Sequence, residues 1–167
     1  AYQRLVKERT RITNLVKGLL DALFPEFTQV FKDPSGLTAL SVLSICPIPR
    51  VIARMTEDEF ITTIKARHKG RRLMRKKLRA LHYSAKTTIG IHAGARSMSS
   101  EIVFLVDKLE LIKQQIRIIE MTLIKLVDET EEGKYLLSIK GLNYIAVAGV
   151  LAELGCFKLY RSAKQMI

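Results

Sequence analysis

The sequence has no tryptophan, two cysteines, four prolines and only 7% aromatic residues. Cys46 and Cys156 stand 110 positions apart and in no CxxC spacing, which argues against a disulfide and for two reduced core thiols. No apolar run approaches the ~18 residues that a membrane span requires, and the N-terminus is too polar for a signal peptide. His68, His82 and His92 are the only histidines, scattered among Lys and Arg with no acid nearby. That setting argues against a metal site and directs them to nucleic acid or solvent. Ser99, Ser100 and Ser138 have no placed base and read as caps or turn residues. Alternating strand patterns with hairpin chemistry, internal repeats and low-complexity tracts are missing too. The most informative absence is of acid: from Phe60 to Ser100 there is no Asp or Glu.

That same segment holds eleven Lys or Arg, so it carries +11 of the chain's formal +12. The remaining residues have 17 basic and 16 acidic side chains, a net of +1. The charge is concentrated in "KARHKGRRLMRKKLR", where Lys65, Arg67, Lys69, Arg71, Arg72, Arg75, Lys76, Lys77 and Arg79 fall within fifteen residues. A solvated face mixes signs; forty-one residues without an acid point instead to a polyanion. An acidic membrane fits less well, because the apolar face of this stretch is modest and lacks Trp or Phe anchors. Nucleic acid is the expected partner. The rest of the composition, 167 residues with 48% hydrophobic and 26% charged, is that of a globular chain with a real core.

The apolar periodicity is helical throughout, and the expected fold class is all-α. Leu5, Arg9, Ile12, Val16, Leu19 and Leu23 recur at alternating spacings of four and three, a heptad seam that Pro25 closes. "DPSG" at Asp33 to Gly36 reads as a turn before a short apolar helix, Leu37 to Ile45, and "CPIPR" as an extended break. "TEDEF" reads as a capping box between Thr56 and Glu59, opening a helix to about His68, with Lys69 and Gly70 as a joint. On the basic helix that follows, Met74, Leu78, Leu81 and Ala85 form one stripe. Arg72, Arg75, Lys76 and Arg79 form a cationic row about 140° away. "SSE" at Ser99 to Glu101 starts the longest helix, which "DETEEG" ends. Its seam is Ile102, Leu105, Leu109, Ile112, Ile116, Ile119, Leu123 and Leu126, and a second stripe of Phe104, Leu111 and Ile118 implies more than one neighbour. Those neighbours are expected to be the N-terminal helix and another subunit, giving a homodimer through long helices. Residues 1–131 are thus expected to be a coiled-coil and helical linker region with the basic segment at 60–100.

Residues 132–167 begin with "YLLSIKGLNYIAVAGVLAEL", a helix, a Gly-containing turn and an Ala-rich helix. A turn of this kind aims backbone N–H groups at a DNA phosphate in helix–hairpin–helix modules, so Lys140, Gly141 and Asn143 join the candidate nucleic-acid-binding residues. Asn143 stands where a second glycine is commoner, and is expected there for its tolerance of positive φ. An ordinary corner between two helices would read the same way. The longer stretch "YLLSIKGLNYIAVAGVLAELGCFKLYRSAKQM" resembles the start of the C-terminal domain of insertion sequence 110 family transposases. The matching positions are Ser138, Ile139, Gly141, Ala152, Glu153, Leu154, Gly155, Ser162, Ala163 and Gln165. Lys140 replaces the family's usual Pro, Asn143 its second Gly and Cys156 a common Asp. "LVKERTRITNLVKGLLDALFPEF" is similar to the segment after that family's RuvC-like domain, and the middle of the chain matches in character only.

The resemblance implies DNA transposition or site-specific recombination guided by a structured bridge RNA. It also implies a set of carboxylates holding Mg²⁺ before Ala1 and a serine nucleophile beyond Ile167. No residue of this chain is then catalytic, none holds metal, and no cofactor is expected in it. The acids present sit at caps, heptad flanks and turns, whereas metal-assisted strand transfer needs at least two convergent carboxylates. The first residue is Ala1 rather than Met and Ile167 falls within a helical pattern, so an internal fragment of a cytoplasmic transposase is the expectation. The alternatives are a free-standing basic helical dimeric regulator, which a start codon at Ala1 would support, and a coiled-coil adaptor that binds no polyanion.

Overall fold

Capping and proline chemistry set the joints of the chain. In a computed structural model that describes residues 1–70 and 72–154, every regular element is helical. The first is α1 (Tyr2–Leu23), and it stops one residue before Phe24, whose N–H still bonds to Leu20. Pro25 then occupies the first position of a second helix, α2 (Pro25–Val30). The expected closure at Pro25 is therefore also an opening, because proline's missing N–H is one of those that a helix start leaves unbonded anyway. Pro49 does the same for α4 (Pro49–Arg54), so "CPIPR" is less extended than expected. Between them the Asp33 turn, where Ser35 N–H donates to Asp33 Oδ1 at 2.9 Å, leads into α3 (Leu37–Ile45). α5 (Glu57–Arg67), α6 (Arg75–Lys86), α7 (Ala95–Asp128), α8 (Glu131–Leu137) and α9 (Tyr144–Leu154) follow.

The chain divides into two units. The first, Gln3–Lys113 with Ala1, holds α1 to α6 and the leading part of α7. Its core is aliphatic and phenylalanine-rich. Ile12, Val16, Leu20 and Leu23 of α1 are buried with Phe24, Phe27 and Phe31, whose rings meet at 6.0 and 5.2 Å. α3 is covered from Thr38 to Leu43, with only its end residues Leu37 and Ile45 exposed, and Cys46 beyond it is buried, which pushes its thiol pKa up. Cys156 lies outside the described residues. The segment between α6 and α7 is strapped to the end of α1. Ile91 N–H donates to Ala22 O at 2.8 Å, Thr88 Oγ1 to Glu26 Oε2 at 2.7 Å and Ile89 N–H to Glu26 Oε1 at 3.1 Å. At the other end of α1, Lys108 of α7 donates to Glu8 at 2.9 Å and holds that half-buried carboxyl below the usual range.

The second unit comprises Gln114–Ile167 with Tyr2, and its described core is small: Ile116, Val127 and Val147 are buried. α8 and α9 pack together. Thr130 caps α8 by accepting from Gly133 N–H, and Tyr2 Oη donates to Glu120 at 3.0 Å. No helix among the described residues is long and apolar enough to cross a membrane.

Candidate nucleic-acid interface

α6 is amphipathic. Leu78, Leu81, His82 and Ala85 are buried, and the face turned away from them is exposed. Arg75, Lys76 and Arg79 lie on that exposed face, as the sequence implied. Two details differ. Arg72 precedes the helix, which starts only at Arg75, so it belongs to the connecting segment and not to the helical row. Met74 is the residue before the first turn and is 49% exposed, so it is no part of the buried stripe. Sequence reading also passed over Tyr83, 74% exposed and seven residues after Lys76, hence on the same face. An aromatic ring set among cations is the arrangement on which an unstacked base can lie. The signal was present as one Tyr at helical spacing from Lys76 and Arg79.

Tertiary structure supplies the acids that the segment itself lacks, but to few of its cations. Arg79 Nε meets Glu57 Oε1 at 2.8 Å and Lys69 Nζ reaches Glu110 at 4.0 Å. Lys77 Nζ sits 5.4 Å from the centre of the Phe31 ring, a cation–π contact. Lys65 and Arg67 in the last turn of α5, Arg72, and Arg75 and Lys76 in the first turn of α6 are exposed. None of these five has an acidic partner among the described residues. Arg71 lies outside the described residues.

The start of α6 is electrostatically unfavourable as it stands. A helix N-terminus carries a partial positive charge and prefers acids. α6 opens with Arg75, Lys76 and Lys77, with no acid in its first turn and no side-chain cap. α5 has the opposite composition, with Glu57, Asp58 and Glu59 in the first turn and the complete Thr56–Glu59 capping box. The Thr56 N–H donates to Glu59 Oε2 at 2.8 Å and keeps that carboxyl below its ordinary pKa.

Two of the three histidines are structural, contrary to the reading that sent them to nucleic acid or solvent. His82 is buried, donates from Nε2 to Met55 O at 2.8 Å and stacks over Phe60. His68 Nδ1 lies 3.2 Å from Ser41 Oγ. Ser41 spends its only hydrogen on Leu37 O, so His68 must donate from Nδ1, and its buried Nε2 has no partner. His92 is exposed. No group of His, Cys, Asp and Glu able to hold a metal ion occurs among the described residues.

The C-terminal turn belongs to the second unit. Gly141 has φ of +102°, a conformation suited to glycine, and open space around it; Lys140 is exposed. Asn143 does not take a positive φ, contrary to the sequence expectation. Its Oδ1 instead accepts from Ala146 N–H at 2.9 Å, so it caps α9. Along the seam of α7, Ile102, Leu105, Leu109, Ile112 and Ile116 are buried, Ile119 and Leu123 half-buried and Leu126 exposed. The second stripe, Phe104, Leu111 and Ile118, is exposed. Of the positions that resemble the transposase family, Gly155, Ser162, Ala163 and Gln165 lie outside the described residues. No protein-family model matches the chain, and neither a curated protein nor a solved structure is significantly similar to it.

Proposed function

We propose that this chain is a helical nucleic-acid-binding and dimerisation segment, working within a transposase of the insertion sequence 110 type. The observation that carries the binding half of this reading is the start of α6, where Arg75, Lys76 and Lys77 crowd an uncapped helix N-terminus. A phosphate backbone laid there removes charge repulsion, meets helix N–H groups and releases its own counterions. Tyr83, further along the same exposed face, offers a surface on which a base can stack. Such contacts hold a backbone without reading its sequence, which suits a protein whose target choice is delegated to a guide RNA. DNA and structured RNA are both ligands of the right chemistry. The transposase context rests on the sequence resemblance. No catalytic step is assigned to these residues, because the resemblance assigns the family's Mg²⁺-holding carboxylates and serine nucleophile to none of them. The site of action is the cytoplasm.

A binding titration over a salt series tests the reading, using structured RNA, single-stranded DNA and duplex DNA. Log K is expected to fall with log salt, by about 0.7 to 0.9 per phosphate neutralised. The Arg72/Arg75/Lys76→Ala variant should flatten that slope by about two to three. Arg79→Ala should change it less, because Glu57 already pairs with Arg79. Tyr83→Ala should weaken single-strand binding by about 1 kcal/mol or more with the slope unchanged. Equally weak binding by the wild type and the triple variant would sink the proposal and leave the charge as a solvated face.

A further inference from the structure

A second cationic site lies outside the Lys65–Arg79 run, in a groove of about 480 Å³ lined by Arg50 and Arg54 of α4, His92, and Gly94, Ala95 and Arg96 at the head of α7. Ile48 and Val51 complete its wall. Arg50 and Arg54 are four residues apart, so they project from one side of their helix. Arg96 approaches from a different helix. Three exposed arginines thus line one concavity, no acid lines it, and none of the three is ion-paired among the described residues, although Arg54 also borders a neighbouring groove that Glu59 lines. Gathering like charges in this way is unfavourable without a ligand. The backbone adds to it. Ala95 N–H is taken by His92 O and Met98 N–H by Gly94 O, which leaves Arg96 and Ser97 N–H without an acceptor inside the helix.

We propose that this groove seats a phosphomonoester carried on a nucleoside. Arginine forks match phosphate oxygens in pairs, which ammonium groups do not. A monoester carries close to two negative charges at neutral pH, and a backbone diester one, so three guanidiniums and a helix start are better balanced by the monoester. Ile48 and Val51 give the attached sugar and base an apolar surface to lie against. The groove is of the size that small ligands occupy. The phosphate comes from one of two sources, the 5′-phosphorylated end of a strand or a free nucleotide. Only the strand-borne form rests on the nucleic-acid reading above. Sequence composition hid the site, because Arg50 and Arg54 fall in the part of the chain whose charges nearly cancel.

The test compares a short single-stranded DNA with and without a 5′-phosphate, and adenosine monophosphate with adenosine, by titration against the full chain. The phosphorylated strand is expected to bind about tenfold more tightly than its 5′-hydroxyl twin. That preference should vanish in Arg50→Gln/Arg96→Gln and persist in Arg72/Arg75/Lys76→Ala. Arg50→Lys/Arg96→Lys should recover only part of it, because lysine restores charge without the fork. A phosphate preference seen only with adenosine monophosphate, and lost in the Gln variant, assigns the groove to free nucleotides and stands even if no strand binds. Absence of any phosphate preference in both pairs overturns the proposal, and does so independently of whether the strands bind through the basic segment.

Discussion

A buried imidazole ties three helices together. His82 of α6 donates to the carbonyl of Met55, the residue that ends α4, and its ring stacks on Phe60 of α5 with centroids 6.1 Å apart. In one dimension it is surrounded by cations, and that context directed it to nucleic acid. Its position next to Leu81 and four residues after Leu78 is what decides, because those residues set the buried face. Gly90 has an equally local explanation. It crosses the end of α1 so closely that a Cβ placed there would lie 2.0 Å from Leu23 O and 2.6 Å from Leu23 C, both backbone atoms. Gly90→Ala should therefore push the strap off Glu26 and Ala22, at a cost of about 2 to 3 kcal/mol, the upper part of what overpacking usually brings. Urea denaturation with the m-value held in view measures it, and an unchanged midpoint would show that the strap does not press on α1.

Among the helices, α5 was the most legible, because a capping box is a local code: Thr56, three residues, Glu59. Thr56→Ala removes the acceptor for Glu59 N–H and should cost about 1 kcal/mol. The box also has a pH dependence with a definite sign. Glu59's carboxyl sits below its unfolded value because the Thr56 backbone N–H bonds to it. Its contribution is complete above the ordinary glutamate range and is lost as the pH falls through that range and below it. The wild type should thus lose more stability on acidification than Glu59→Gln, which has no carboxyl to protonate. Parallel loss in both, measured by denaturation at neutral and acid pH, would remove the box from the ledger. The heptads were legible only in part. Leu19 is half-buried beside a buried Leu20, and along α7 Leu126 gives way to Val127, as a straight helix drifting about 20° per heptad brings about over three heptads. α2 and α4 were missed because proline was weighed as a terminator and not as a first residue, and nothing in the linear charge count could place Arg50, Arg54 and Arg96 around one groove.

At the scale of the whole molecule, the proposed dimerisation raises the question of which face of α7 would meet a second copy. The expected answer was the seam from Ile102 to Leu126, yet its residues from Ile102 to Ile112 are spent inside the first unit's own core. Phe104, Leu111 and Ile118 are 67%, 54% and 64% exposed, at seven-residue intervals on a helix of 34 residues. Identical spacing on two copies lets such rows face each other along helices of about 50 Å. One apolar residue per heptad is less than a full seam offers, so the pairing should be reversible and concentration-dependent. Sedimentation velocity over a dilution series should show a dimer that Leu111→Lys/Ile118→Lys converts to a folded monomer. Leu109→Lys, which places a charge at a position with no exposure at all, should instead unfold the first unit, visible as lost helical signal. A wild type that stays monomeric at every concentration would assign the stripe to a different partner and remove dimerisation from the proposed role. Dissociation by the exposed pair together with unfolding by the buried one would separate the two faces of the same helix, one holding the fold and one holding the assembly.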